Sequence, residues 1–181
     1  AGWTRLISIP PPTRWGKPMG NSQIPSSHST VPEGAFPLSA VQRSMWFAQQ
    51  LSPTVPKFIA QYVELQGDLD LELLSRVAVE AAHEFQSPFL RLLDVDGEPY
   101  QVVDATIDPS IGFRDFRAES DPRATARAWM DDDCAHPLRL TRDRLVDMTV
   151  LQVGDTTYWW YTRIHHVALD GYSGVTMVNR I

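Results

Sequence analysis

The segment Thr156-Thr157-Tyr158-Trp159-Trp160-Tyr161-Thr162-Arg163-Ile164-His165 constrains the fold more than any other part of this chain. It is rich in β-branched and aromatic residues, so its local preference is a strand. It is aromatic at successive positions, so both of its faces carry large apolar surface. A strand with one solvated face would alternate apolar and polar residues, and this one does not, which places it in the middle of a sheet covered on both sides. Leu145 to Val153 precedes it across a Gly154-Asp155 turn, so the two read as an antiparallel hairpin. A buried central strand of this kind requires helices or further sheet on either side.

The remaining punctuation supplies them. Ser39-Ala40-Val41-Gln42 has the form of a capping box, with Ser39 as N-cap and Gln42 reaching back. Val41, Met45 and Ala48, with the neighbouring Trp46, follow at helical spacing until Ser52-Pro53. Phe58 to Leu65 reads as a strand ending at Gly67-Asp68. Asp70 then caps a second helix with Leu73, Leu74, Val77, Ala78 and Ala81 on one stripe. Phe89 to Val95 and Pro99 to Val103 flank Asp96-Gly97, the strongest short-range hairpin signal present. Asp121-Pro122 opens a third helix running toward Cys134, and Tyr172 to Ile181 begins a fourth. Strands and helices mixed in this order predict an α/β fold, a mixed sheet flanked by helices.

Residues 1–35 differ from the rest. Pro10, Pro11, Pro12, Pro18, Pro25 and Pro32 are separated by Gly, Ser and Thr without apolar periodicity, which reads as a Pro/Ser-rich linker or tail. The domain is therefore expected over 36–181. Within a 181-residue chain that is 43% hydrophobic and 21% charged, this leaves enough material for one sizeable core. The net charge of −6 argues against nucleic-acid binding. No apolar run approaches the ~18 residues of a bilayer span, and no secretory signal is visible. The single cysteine, Cys134, excludes an internal disulfide framework and a cysteine zinc cage, so a cytoplasmic location is the expectation and no metal site is expected.

Of the histidines, His28 lies in the linker, His83 on the second helix, and His136 beyond the acidic run Asp131-Asp132-Asp133, which reads as a solvated helix end. His165-His166-Val167-Ala168-Leu169-Asp170-Gly171 is different. Two adjacent imidazoles at the end of a buried strand are costly unless hydrogen-bonded. Strand alternation sends them to opposite faces, so only one can serve a given cleft. Asp170 can orient a ring or hold the loop through an arginine, and Gly171 permits backbone conformations closed to other residues. From the residues alone, a pair of satisfied core histidines before a glycine turn remains open beside a catalytic site.

The pattern His165-His166-x-x-x-Asp170-Gly171 resembles the HHxxxDG motif of nonribosomal peptide synthetase condensation domains and their relatives of the chloramphenicol acetyltransferase fold. Phe36-Pro37-Leu38-Ser39-Ala40-Val41-Gln42-Arg43-Ser44-Met45-Trp46 resembles their first motif. Leu65-Gln66-Gly67-Asp68-Leu69-Asp70 looks like their strand-to-helix junction, and His136-Pro137-Leu138-Arg139 like the segment before the motif hairpin. Trp46-Phe47-Ala48-Gln49-Gln50-Leu51 and Gly97-Glu98-Pro99-Tyr100-Gln101-Val102-Val103-Asp104 are similar to the siderophore type. Gly171-Tyr172-Ser173 replaces the common Gly-Trp-Ser.

The resemblance implies the N-terminal lobe of a chloramphenicol acetyltransferase-like domain, truncated, with the second lobe absent and the fragment inactive alone. It implies His166 as the catalytic residue, facing a tunnel between two lobes, with His165, Asp170 and Gly171 supporting. It implies amide formation between substrates held as thioesters on upstream and downstream peptidyl carrier domains. The 4'-phosphopantetheine would arrive on those partners, with no cofactor bound by this segment and an adenylation domain in the same parent chain. The family arginine that pairs with the motif aspartate has Arg91 as its nearest counterpart, although alignment through the following hairpin puts Phe89 at that position. The alternatives are an epimerization domain or an ester-forming acyltransferase with the same motif, or a noncatalytic carrier-docking platform.

Overall fold

The computed structural model describes residues 30–169 and 171–181. The linker expected over 1–35, with His28, therefore lies almost wholly outside the described residues, as does Asp170. The described elements are β1 (Phe36–Pro37), α1 (Ala40–Leu51), β2 (Phe58–Gln66), α2 (Leu71–Phe85), β3 (Leu90–Val95), β4 (Glu98–Val103), β5 (Gly112–Asp115), α3 (Pro122–Ala135), β6 (Val146–Gly154), β7 (Thr157–His165) and α4 (Gly171–Arg180).

The caps act where the sequence places them. Ser39 Oγ accepts from the Gln42 amide at 3.3 Å, and the Ser39 amide donates to Gln42 Oε1 at 3.0 Å, completing the capping box of α1. Asp70 accepts from the Leu73 amide to open α2, and Asp121 from the Ala124 amide to open α3, with Pro122 in the first turn where no N–H is missed. Asp96 and Gly97 have φ of 54° and 86°, the pair of positive values that lets a two-residue turn match the twist of β3 and β4.

The two hairpins separate into different sheets. One has the order β1-β4-β3, and the other β2-β7-β6-β5. In the larger sheet β7 lies between β2 and β6, both antiparallel to it, as its two apolar faces demand. β5 joins the far edge parallel to β6, which makes the sheet mixed. Neither β5 nor β1 announces itself in the sequence. Both are short, and their partners come from distant segments. A single 3-10 turn, Ser87–Phe89, takes the place of the expected start of β3.

Alternation along β7 sorts the core into two layers. Trp159 and Tyr161 pack with Leu151, Val153, Ala126 and Met130 under α3. Tyr158 and Trp160 pack with Met148, Val150 and Ala78 under α2. Trp159 and Leu151 are fully buried. Each large apolar side chain sequestered this way contributes about 1.5–3 kcal/mol, before the entropy of ordering it is subtracted. A third cluster joins Leu38 and Trp46 to Leu90, Leu92, Leu140, Leu145 and Val167, where α1 and the smaller sheet meet the chain just beyond β7. Two stripe members are corrected: Val41 and Leu73 are 65% and 46% exposed. Both sit at the first turn of their helices, outside the covered stripe; in α2 the fully buried positions are Ala78, Ala81 and Ala82.

Candidate functional site

β7 ends at His165, and the next residue opens a turn. His165 is 1% exposed whereas His166 is exposed, so the two imidazoles separate as alternation requires. The His165 ring meets the Phe58 ring edge-on, with centroids 5.9 Å apart. Its Nδ1 accepts a hydrogen bond from the Val167 amide at 3.1 Å, so in the neutral ring the proton resides on Nε2. Removal from water, reinforced by the neighbouring His166 and Lys57, pushes the His165 pKa down to about 4. This ring is a neutral structural acceptor at neutral pH.

His166 has an exposed ring on a backbone held at successive points. Its own amide donates to the Lys57 carbonyl at 3.2 Å, the Val167 amide donates to His165, and the Ala168 amide donates to the His165 carbonyl at 2.9 Å. The Val167 carbonyl in turn accepts from Gln42 Nε2 at 3.1 Å. Val167 itself is 1% exposed within the α1 cluster, and Ala168 and Leu169 pack against Val146, Ile164 and Met177. An imidazole thus projects from a backbone hydrogen-bonded at successive residues.

The remaining supporting residues are placed as follows. Gly171 is the first residue of α4, and close packing of that helix on β7 is visible at Gly174, where an added Cβ would stand 3.3 Å from Ile164 Cδ1. Arg91, the candidate partner of Asp170, bonds through Nε to Asp104 Oδ2. The Thr106 hydroxyl and amide, followed by Arg91, hold the Asp104 carboxyl down at about 2. Phe89 is 4% exposed and stacks on His83 at 4.9 Å.

Sequence reasoning missed two things. The first is Gln101, which is 8% exposed and accepts from Gln42 Nε2, the atom that also donates to the Val167 carbonyl. The second is one member of the acidic run on α3: Asp131, Asp132 and His136 are exposed, as a solvated helix end requires, but Asp133 is not. Asp133 turns inward instead: Arg163 Nη1 donates to its carbonyl at 2.8 Å and lies 3.0 Å from its carboxylate, and Tyr161 Oη donates to Asp133 Oδ2 at 2.9 Å. Burial, with Cys134 and Asp133 beside it, holds the Tyr161 phenol above its ordinary value. Arg163, 9% exposed on the same face of β7 as His165, was the available signal, because a buried guanidinium demands a carboxylate. Among the described residues no group of three or more His, Cys, Asp or Glu side chains is placed to hold a metal ion, and no helix is long and apolar enough to cross a membrane.

Comparison with known proteins places this geometry. The Condensation domain family profile matches residues 32–181. Enterobactin synthase component F of Escherichia coli (strain K12) is 35% identical over 149 residues, covering 81% of this chain and 12% of that protein. Isonitrile lipopeptide synthase of Streptomyces coeruleorubidus is 34% identical over 146 residues, covering 80% of this chain and 10% of the relative. Among solved structures, a double variant of the starter condensation domain of rhizomide synthetase, in complex with C8-CoA and Leu-SNAC, superposes with a TM-score of 0.77 at 31% identity. That match covers 81% of this chain and 34% of the other. The chain therefore spans about a tenth of these curated relatives and about a third of the solved domain.

Proposed function

This chain belongs to the condensation domain family, and from that premise we propose that it supplies the histidine-bearing lobe of an amide-forming site in its parent synthetase. A donor acyl group, held as a thioester on an upstream peptidyl carrier, is attacked by the amine of an acceptor held on a downstream carrier. The amine nitrogen forms a C–N bond to the thioester carbonyl carbon and the C–S bond breaks. His166 takes up the proton that the nitrogen sheds, or orients the amine by hydrogen bonding, and the upstream carrier's thiol leaves protonated. The 4'-phosphopantetheine arms belong to the carriers and enter with the substrates. An adenylation domain in the same parent loads the acceptor.

The observation that carries this reading is the separation of the two histidines. His165 is buried, neutral and engaged through Nδ1, so it is in no position to exchange protons with a substrate. His166 is exposed at the end of the central strand. An imidazole within hydrogen-bond reach of a reacting amine contributes ~100- to 10,000-fold as a general base. Because a thioester is already activated, positioning of two tethered reactants supplies much of the remainder. Asp170 and Gly171 shape the loop that follows, and residues 1–35 serve as linker or tail. A cytoplasmic parent accords with the single free cysteine, Cys134.

The test is His166→Ala in the intact parent, with loaded donor and acceptor carriers and dipeptidyl thioester followed by mass spectrometry. Product formation is expected to fall at least a hundredfold with the fold unchanged by circular dichroism. A folded variant that condenses at the wild-type rate would leave the histidines as packing elements and the domain as a docking platform. Ester or epimerised product from the wild-type parent, in place of amide, would assign the same motif to one of the related acyl-transfer or epimerisation chemistries.

A further inference from the structure

Gln42 makes every hydrogen bond its side chain allows, and it makes them to three separate segments. Oε1 accepts from the Ser39 amide at 3.0 Å and from Gln101 Nε2 at 3.2 Å. Nε2 donates to Gln101 Oε1 at 2.9 Å and to the Val167 carbonyl at 3.1 Å. Gln101, buried on β4, uses its other Nε2 hydrogen on the Pro37 carbonyl at 3.3 Å. Two donor hydrogens and two acceptor directions are the whole capacity of a glutamine, and all are used. The amide orientation is therefore determined: a flip would set Oε1 against the Val167 carbonyl and Nε2 against the Ser39 amide. A capping box alone accepts glutamate at this position equally well, because the helix needs only an acceptor there. Only an amide can also donate to Val167.

We propose that Gln42, braced by Gln101, is a positioning residue for His166: it ties the N-terminus of α1 to the peptide that follows the histidine. The proposal rests on the reading of His166 given above. The geometry explains why one side chain would do both jobs. The His166 amide is held by Lys57 and the Val167 amide by His165. The Val167–Ala168 peptide is held on one side by the Ala168 amide on the His165 carbonyl, a bond within the turn itself, and Gln42 on the Val167 carbonyl supplies its tie to α1. If that tie is lost, the peptide beyond His166 keeps only its local bond to the His165 carbonyl, the turn is no longer anchored to α1, and the ring shifts from its line to the reacting amine. A displacement of about 1 Å at a reacting group costs on the order of a hundredfold in rate.

The experiment uses the intact parent with loaded carriers and compares Gln42→Glu, Gln42→Met, Ser39→Ala and His166→Ala. Gln42→Glu keeps the acceptor that caps α1 and removes both donors. Gln42→Met removes the donors without introducing a charge, so one of the two remains informative if the other misfolds. Ser39→Ala weakens the same helix end but leaves the bond to Val167, and serves as the control for mere loss of stability. Both Gln42 variants are expected to lower kcat at least tenfold, with KM for the carriers within twofold of wild type. Ser39→Ala is expected to lower the melting temperature and leave kcat unchanged well below it. In NMR spectra the Val167 and Ala168 amides are expected to shift in the Gln42 variants and not in Ser39→Ala. A folded Gln42→Met protein with kcat within twofold of wild type, while His166→Ala abolishes turnover, overturns the positioning role alone. An equal kcat loss in Ser39→Ala also overturns it. Retention of turnover by His166→Ala itself removes the catalytic reading, and the positioning role with it.

Discussion

Acidification should destabilise this chain through His165 before its strongly held carboxylates are protonated. In the unfolded chain an imidazole titrates near 6.5, whereas the buried His165 is held neutral down to about 4 by loss of solvent and by the adjacent His166 and Lys57. The folded-state value is the lower one, so the stabilisation is complete above about pH 7. Below the unfolded value the unfolded state gains a proton that the folded state refuses, and stability falls until the pH passes the folded value. Linkage over this interval gives a loss of about 2 kcal/mol by pH 5 and about 3 kcal/mol by pH 4, where it levels off. At 1% exposure the ring has no solvent to moderate that difference. Asp104 and Asp115, held near 2, lose their contributions only at lower pH. The assay is urea unfolding at pH 7, 6 and 5, followed by tryptophan fluorescence, for wild type and His165→Asn. Asparagine offers an acceptor near the position of Nδ1 but does not titrate in this range. It is expected to be less stable at pH 7, because a smaller side chain leaves space beside Phe58, and to have a flatter dependence on pH. Parallel pH dependences for the two proteins between pH 7 and 5 would show that His165 is not the titrating group.

Two further outcomes follow from the fold and its coverage. Gly97→Ala is expected to lower stability by about 1–2 kcal/mol in denaturant melts, wholly from backbone strain, since φ is +86° and an added Cβ meets nothing within 4 Å; an unchanged midpoint would contradict the left-handed turn. Residues 1–181 mixed with loaded carriers are expected to give no dipeptidyl thioester, because the chain corresponds to about a third of a solved condensation domain and orienting two tethered reactants takes more than one wall; turnover comparable with the intact parent would show that this lobe suffices.

What the amino-acid order determined by itself is what acts over a few residues. Ser39 and Gln42, Asp70, and Asp121 with Pro122 start the helices where they stand, because a cap needs only its neighbours three positions on. Asp96-Gly97 closes its hairpin for the same reason, whereas the second hairpin turns at Asp155-Thr156, one residue beyond the expected Gly154-Asp155, because Gly154 stays in β6 opposite Thr157 after a register shift. The two-faced aromatic pattern placed β7 inside its sheet, and period-two alternation separated His165 from His166. Tertiary structure alone decided which hairpin belongs to which sheet, and that the short β5 lies parallel to β6, since these pairings join segments with no local signal in common. It also decided the partners of polar side chains. Arg91 meets Asp104, Asp133 turns in to Arg163, and Gln42 caps a helix with one atom while holding the histidine loop with another. A donor's partner depends on what folding brings within about 3 Å of it, and sequence spacing carries that distance only for neighbours on one helix, strand or turn.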